Sequence, residues 1–183
     1  TFLYSQKEQY FKTLVRETLE RLALSETPSI YFHYSAKFSN EDRAAILDAA
    51  RTVRPKGTYS FVWINTDHNV RVYDRRAETD GSLSRGGYVT ASRRQIYLST
   101  TGNNPYRKAL GTPTMLEVNI WIDPPEGSPL APADLKSLAV QMLNLTKLNW
   151  SSTNAFCGEP ITTYYAHHIA YLTAAFMRQA PNF

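Results

Sequence analysis

The chain has 183 residues, 43% of them hydrophobic, which suffices to bury a core within one domain and sets it apart from disordered segments. Its formal net charge of +4 permits a polyanionic partner without requiring one. A single cysteine, Cys157, excludes an internal disulfide and any multi-cysteine zinc site. No run of about 18 apolar residues offers a membrane span, and TFLYSQKEQYF lacks the features of a signal peptide, so a cytoplasmic protein without a membrane partner is expected.

In chain order, Phe11, Leu14, Val15, Leu19 and Leu22 fall on one stripe between about Lys7 and Leu24 and predict an amphipathic helix. SIYFHYS, Ser29 to Ser35, is rich in β-branched and aromatic residues and reads as a strand; Ser39, with Asn40, Glu41 and Asp42, opens a helix through about Val53. After the turn Arg54-Pro55-Lys56-Gly57, YSFVWIN forms a largely apolar strand, and Asp67-His68-Asn69 is expected to turn it into VRVYD as a hairpin.

The segment Asp74 to Arg94 holds five arginines among turn residues and short strands, and QIYLSTTG then alternates like a half-buried strand. LEVNIWI, Leu116 to Ile122, has the apolar density of a central strand, broken by Asp123-Pro124-Pro125-Glu126-Gly127. Pro132-Ala133-Asp134 starts a helix that reaches LTKLNW. In the final helix Pro160 and Glu159 mark the start, while Ile161, Tyr165, Ile169, Leu172 and Phe176 form a stripe expected to dock; His168 lies at its edge and His167 projects away. The expectation is one α/β domain over residues 1–183, a mixed sheet flanked by helices.

Three tracts in the closing stretch carry a resemblance: LTKLNW, then the Pro160-Ile161-Thr162 that opens the last helix, then YYAHHIA. Together they resemble the C-terminal end of the PIWI domain of Argonaute proteins, above all prokaryotic ones of short or catalytically inactive type. YYAH carries the last catalytic position in many eukaryotic members. HYSAKFSNED resembles the family's strand-to-helix step, and the stretch from Arg85-Gly86 through YLSTTG to the Pro113 region resembles short and inactive prokaryotic Argonautes. The resemblance covers nearly the whole chain. It implies the later portion of an RNase H-like PIWI fold, with the MID and PAZ domains and the first half of PIWI outside these residues, hence a fragment or one piece of a split protein.

Argonaute slicing, as the resemblance implies, uses a carboxylate-rich tetrad that holds two divalent ions. The family's second aspartate belongs at the end of SIYFHYS, where this chain has Ser35, and Lys37 two positions on adds positive charge where an ion must bind. His167 occupies a tetrad-like place, and TFLYSQKEQ offers no clear further acidic member. The resemblance therefore implies a catalytically silent module in which Ser35 and His167 are degenerate positions. Asp67, Asp74, Asp80 and Asp123 read as turn residues, and no Ser/His/Asp order, Gly-rich phosphate loop or HExxH signature is present.

The family tract matching LTKLNW runs along the guide backbone, which implies that Lys147 and Asn149 donate to phosphate oxygens with Thr146 and Trp150 as supports. Cationic and amide donors on a rigid helix end can fix a phosphate without reading its base. Arg75, Arg76, Arg85, Arg93 and Arg94, on connections near Tyr73 and Tyr88, form a second group suited to clamping a guide–target duplex, and Lys37 is a further basic candidate. The carboxylate of Phe183 is the third: in the family the tucked C-terminus helps hold a Mg²⁺ ion at the guide's 5′ phosphate. Leu172 departs from the pattern, since eukaryotic members place an arginine five residues after the YYAH histidine.

The resemblance thus implies a module that binds a guide oligonucleotide, RNA or DNA, and a complementary single-stranded target in prokaryotic defence, with the remaining Argonaute segments and an effector chain as further partners. Two alternatives stand beside it: a metal-dependent guided endonuclease completed by an upstream segment, and a protein-interaction scaffold for an effector subunit.

Overall fold

The computed structural model describes residues 4–75, 81, 83–102, 115–123, 134–148 and 158–179. Among them the elements run α1 (Tyr4–Arg21), β1 (Ser29–Tyr34), α2 (Asn40–Val53), β2 (Thr58–Asn65), β3 (Tyr88–Ser92), β4 (Gln95–Leu98), β5 (Leu116–Asp123), α3 (Leu135–Leu145) and α4 (Ile161–Gln179). The five strands form one mixed sheet in the order β1-β2-β5-β4-β3. The chain divides into two compact units and passes between them within β2, after Trp63, within β5, before Ile120, and again before Asp134.

The first unit holds α1, β1, α2, most of β2 and the end of β5. Its helix α2 starts where the sequence places it: Ser39 Oγ accepts the Asp42 N–H at 3.0 Å and Asp42 Oδ2 accepts the Ser39 N–H at 3.1 Å, a reciprocal cap. Asp42 is buried and is also reached by Lys7 Nζ from α1, at 2.8 Å from Oδ1. α1 packs on α2 through Val15 and Leu19, which are buried, while Leu14 and Leu22 at the edges of the predicted stripe stay exposed. β1 and β2 pair in parallel with Phe32 opposite Phe61, whose rings stack at 5.4 Å, closing a core with Ile46, Ala50 and Tyr59. Burying one such aliphatic side chain is worth about 1.5–3 kcal/mol, so Leu19→Ala, which also leaves a cavity, is expected to cost about 2–5 kcal/mol.

The second unit holds the end of β2, β3, β4, the start of β5, α3 and α4. β3 and β4 are antiparallel, Tyr88 opposite Leu98, and β4 and β5 are antiparallel, Leu98 opposite Leu116. Ile96, Leu98, Leu116 and Val118 alternate inward and are almost fully buried, as are Leu138, Ala139 and Met142 of α3, which packs on β4. Asp134 caps α3 by accepting the Ser137 N–H at 3.0 Å.

Two sequence expectations differ from the structure. VRVYD forms no hairpin with β2; in that tract Tyr73 makes an isolated bridge. The Asp67 N–H donates to Asn65 Oδ1 (3.0 Å) and the Val70 N–H to His68 Nδ1 (3.1 Å), so side chains of the turn take backbone donors that a ladder needs. Among the described residues, the apolar stripe of α4 is exposed rather than docked over Tyr165, Ile169 and Leu172. Pro160 and Thr163 are buried at its first turn, but Tyr165, Ile169, Tyr171 and Leu172 are exposed. Periodicity reports that a helix face is apolar, not that a surface is present to meet it.

Candidate nucleic-acid interface

Three of the sequence-predicted residues meet at the end of α3. Thr146 closes that helix, and its buried hydroxyl donates to the Leu143 carbonyl at 2.6 Å. The same oxygen accepts from Arg85 Nη2 at 2.9 Å, while Arg85 Nε donates to the Thr100 carbonyl at 2.6 Å. Thr100, itself buried, sends its hydroxyl to the Gly158 carbonyl at 2.8 Å, just before α4. Lys147 follows Thr146 in the turn, its N–H bonded to the Asn144 carbonyl at 3.0 Å and its side chain exposed. One arginine thus joins the turn before β3, the exit of β4 and the end of α3, and Thr100 extends the chain of bonds to the entry of α4.

At that entry, His167 lies on the second turn of α4 with Nδ1 3.3 Å from Glu159 Oε2, leaving Nε2 on the far side of the ring. His168 packs its ring against Tyr164 at 4.4 Å rather than against a core. Arg93 and Arg94 occupy the β3–β4 turn, where both are exposed and the Arg94 N–H is held by Ser92 Oγ at 3.2 Å. Arg75 is exposed on the connection after β2. In the first unit, Ser35 and Lys37 are exposed between β1 and α2, and the Ser35 carbonyl accepts the Trp63 indole N–H at 3.3 Å. Arg76, Asn149, Trp150 and Phe183, with Cys157, lie outside the described residues.

Ser35 presents a neutral hydroxyl, and hard divalent ions favour charged oxygen ligands. Among the described residues no three His, Cys, Asp or Glu side chains are placed to hold a metal ion.

A polar cluster escaped the sequence reading. Glu117 on β5 is buried and its carboxylate accepts amide N–H groups from Gln95 (2.7 Å), Asn65 (2.9 Å) and Asn119 (3.0 Å). Burial pushes the Glu117 carboxyl up, but the amides of Asn65, Asn119 and Gln95, with His68, outweigh it and hold the group below its ordinary value. The His68 ring meets Tyr97 beside it at 5.5 Å. The available signal was three amide side chains on neighbouring strands, but which of them share a face follows only once strand order is known.

No protein-family model matches the chain, and a search of curated proteins returns no match. Solved structures do match. Aa-Ago with externally bound siRNA superposes with a TM-score of 0.69 at 19% identity, covering 95% of this chain and 22% of that one. Aquifex aeolicus Argonaute gives 0.64 at 19% identity, over 90% of this chain and 21% of the other. Clostridium butyricum Argonaute bound to a guide DNA with a 5′ deoxycytidine and a 19-mer target DNA gives 0.62 at 15% identity, over 92% and 20%.

The fold is Argonaute-like. The Argonaute matches agree with the PIWI-like mixed sheet and flanking helices that LTKLNW and YYAHHIA had implied. The chain spans about a fifth of the length of the Argonaute structures it resembles. No helix among the described residues is long and apolar enough to cross a membrane.

Proposed function

We propose that the chain is a guide-dependent nucleic-acid-binding module of a prokaryotic Argonaute-like protein, holding a guide strand and its complementary target without cutting either. The observation that carries this reading is the exposed Lys147 on a turn held by Thr146 and Arg85, which Thr100 links in turn to Gly158 before α4. A cation on a fixed helix end takes a backbone phosphate with little ordering cost, and sequence is left to base pairing. Arg75, Arg93 and Arg94 of the second unit are exposed and carry the charge that a backbone phosphate attracts, and Lys37 of the first unit does so separately. Clostridium butyricum Argonaute, whose fold this chain shares, holds a guide DNA and a target DNA.

Catalytic silence rests on the chemistry of Ser35, which cannot supply a carboxylate ligand. Within the same reading, Asn149 and Arg76 are further donors, a Mg²⁺ ion would accompany the guide's 5′ phosphate, and an effector chain answers target binding in defence against invading nucleic acid. The test is a salt series of oligonucleotide binding by the purified protein. The logarithm of the association constant is expected to fall linearly with the logarithm of salt, and Lys147→Ala is expected to reduce the slope by about 0.7–0.9. A slope near zero, or no binding at low salt, overturns the reading.

A second reading, an interaction scaffold for a protein partner, is favoured by the exposed Ile169, Tyr171 and Leu172 of α4. It predicts that Lys147→Ala leaves oligonucleotide binding and its salt slope unchanged.

A further inference from the structure

Arg85 differs from the other basic residues that the sequence groups with it. Arg75, Arg93 and Arg94 are exposed, whereas Arg85 is half-buried and its guanidinium is engaged with the protein's own oxygens, the Thr100 carbonyl at 2.6 Å and Thr146 Oγ1 at 2.9 Å. A guanidinium fork aimed at two acceptors on different segments fixes their separation, which a flexible ammonium does not. The surroundings are shaped for it. Gly102 adopts φ +61°, and a Cβ there would stand 2.5 Å from the Arg85 backbone nitrogen; Gly86 adopts φ +86°, and a Cβ there would meet Leu143 of α3 at 2.9 Å. The Gly86 N–H donates to the Ser99 carbonyl and the Ser99 N–H to the Gly87 carbonyl, both at 2.8 Å, so the turn bearing Arg85 is tied to the exit of β4 by its backbone.

From this arrangement we infer that Arg85 is a positioning residue for the phosphate contact rather than a phosphate ligand. Through Thr146 it sets the orientation of the turn that presents Lys147, and through Thr100 it ties that turn to Gly158 at the entry of α4. The inference rests on the binding reading above and assigns the labour within it: Lys147 touches the backbone, and Arg85 acts only through Lys147.

The test is a double-mutant cycle read by fluorescence anisotropy with a 5′-phosphorylated single-stranded oligonucleotide, alone and annealed to its complement. Lys147→Ala and Arg85→Ala are each expected to weaken binding about three- to tenfold, as for one lost charge-assisted contact. Each is also expected to reduce the salt slope by about 0.7–0.9. The double variant is expected to match either single one, because the second change removes nothing that remains. Thr146→Val, which deletes the hydroxyl that Arg85 holds, is expected to reproduce Arg85→Ala, and Thr146→Ser to bind like the unsubstituted protein. If Arg85→Ala fails to fold, Thr146→Val against Thr146→Ser, each with and without Lys147→Ala, completes the cycle. Multiplied losses in the double variant, with a slope reduced by two phosphates, overturn the inference and make Arg85 a ligand in its own right. If the unsubstituted protein binds neither probe, the binding reading falls, and this inference falls with it.

Discussion

The Thr100 hydroxyl donates to the Gly158 carbonyl at 2.8 Å, joining the exit of β4 to the residue that precedes α4 by three positions. Thr100 is 2% exposed, so the bond is made away from water. Thr100→Val keeps the shape and removes the donor, leaving a carbonyl without its partner. The expected loss of stability is about 1–3 kcal/mol in urea denaturation, with Thr100→Ser close to the unsubstituted protein. Equal stabilities for the valine and serine variants contradict a structural role for the bond.

Glu117 offers a second measurement. Its carboxylate takes three amide donors in a buried setting, and a glutamine there turns one acceptor oxygen into a donor that faces other donors. Glu117→Gln is expected to cost about 2–3 kcal/mol near neutral pH. Because the folded carboxyl titrates below its ordinary value of 4.5, its contribution is complete above that value and is lost as pH falls through the lower folded one. The difference between the two proteins is therefore expected to shrink below about pH 4.5. A constant difference down to pH 3 contradicts an ionised Glu117 in the fold.

His33, on β1, gives acid sensitivity in a different window. Burial pushes its imidazole down from the ordinary 6.5 to about 4. The neutral form is the one that folds, so stability is undiminished above pH 6.5 and declines as pH falls toward 4, where the unfolded chain takes a proton that the folded one refuses. His33→Gln is expected to flatten stability between pH 6.5 and 4, measured by denaturant midpoints at half-unit steps. An unchanged pH profile contradicts the assignment.

How much of this was legible in the sequence depends on the range of the interaction. The cap of α2 was readable because Ser39 and Asp42 are three residues apart, the alternation of QIYL showed its inward face directly, and the apolar density of LEVNIWI marked a central strand. Pro160 and Glu159 likewise marked the entry of α4 within one residue of its observed start. The Arg85 network was not readable, since its acceptors lie 15 and 61 positions away and nothing local distinguishes this arginine from Arg93 or Arg94. VRVYD misled because its alternation suits a strand, while the preceding Asn65 and His68 side chains already bind the nearby backbone.

The stripe of α4 supplies a prediction of its own. Ile169 and Leu172 are each 64% exposed, so replacing both by serine removes little buried area, and the change in stability is expected to stay within about 0.5 kcal/mol per site. Self-association of the protein at high concentration, read by light scattering, is expected to decrease, since an uncovered apolar stripe is what sticks. A large loss of stability shows instead that the stripe is covered in solution.

The most direct test of the central claim is guided capture. The purified protein is loaded with a 5′-phosphorylated guide and offered a labelled target strand, either complementary or scrambled, at moderate salt. Retention of the complementary target alone, abolished when the guide is omitted and weakened by Lys147→Ala, is the result the account predicts. Equal retention of both targets, or retention without a guide, contradicts it.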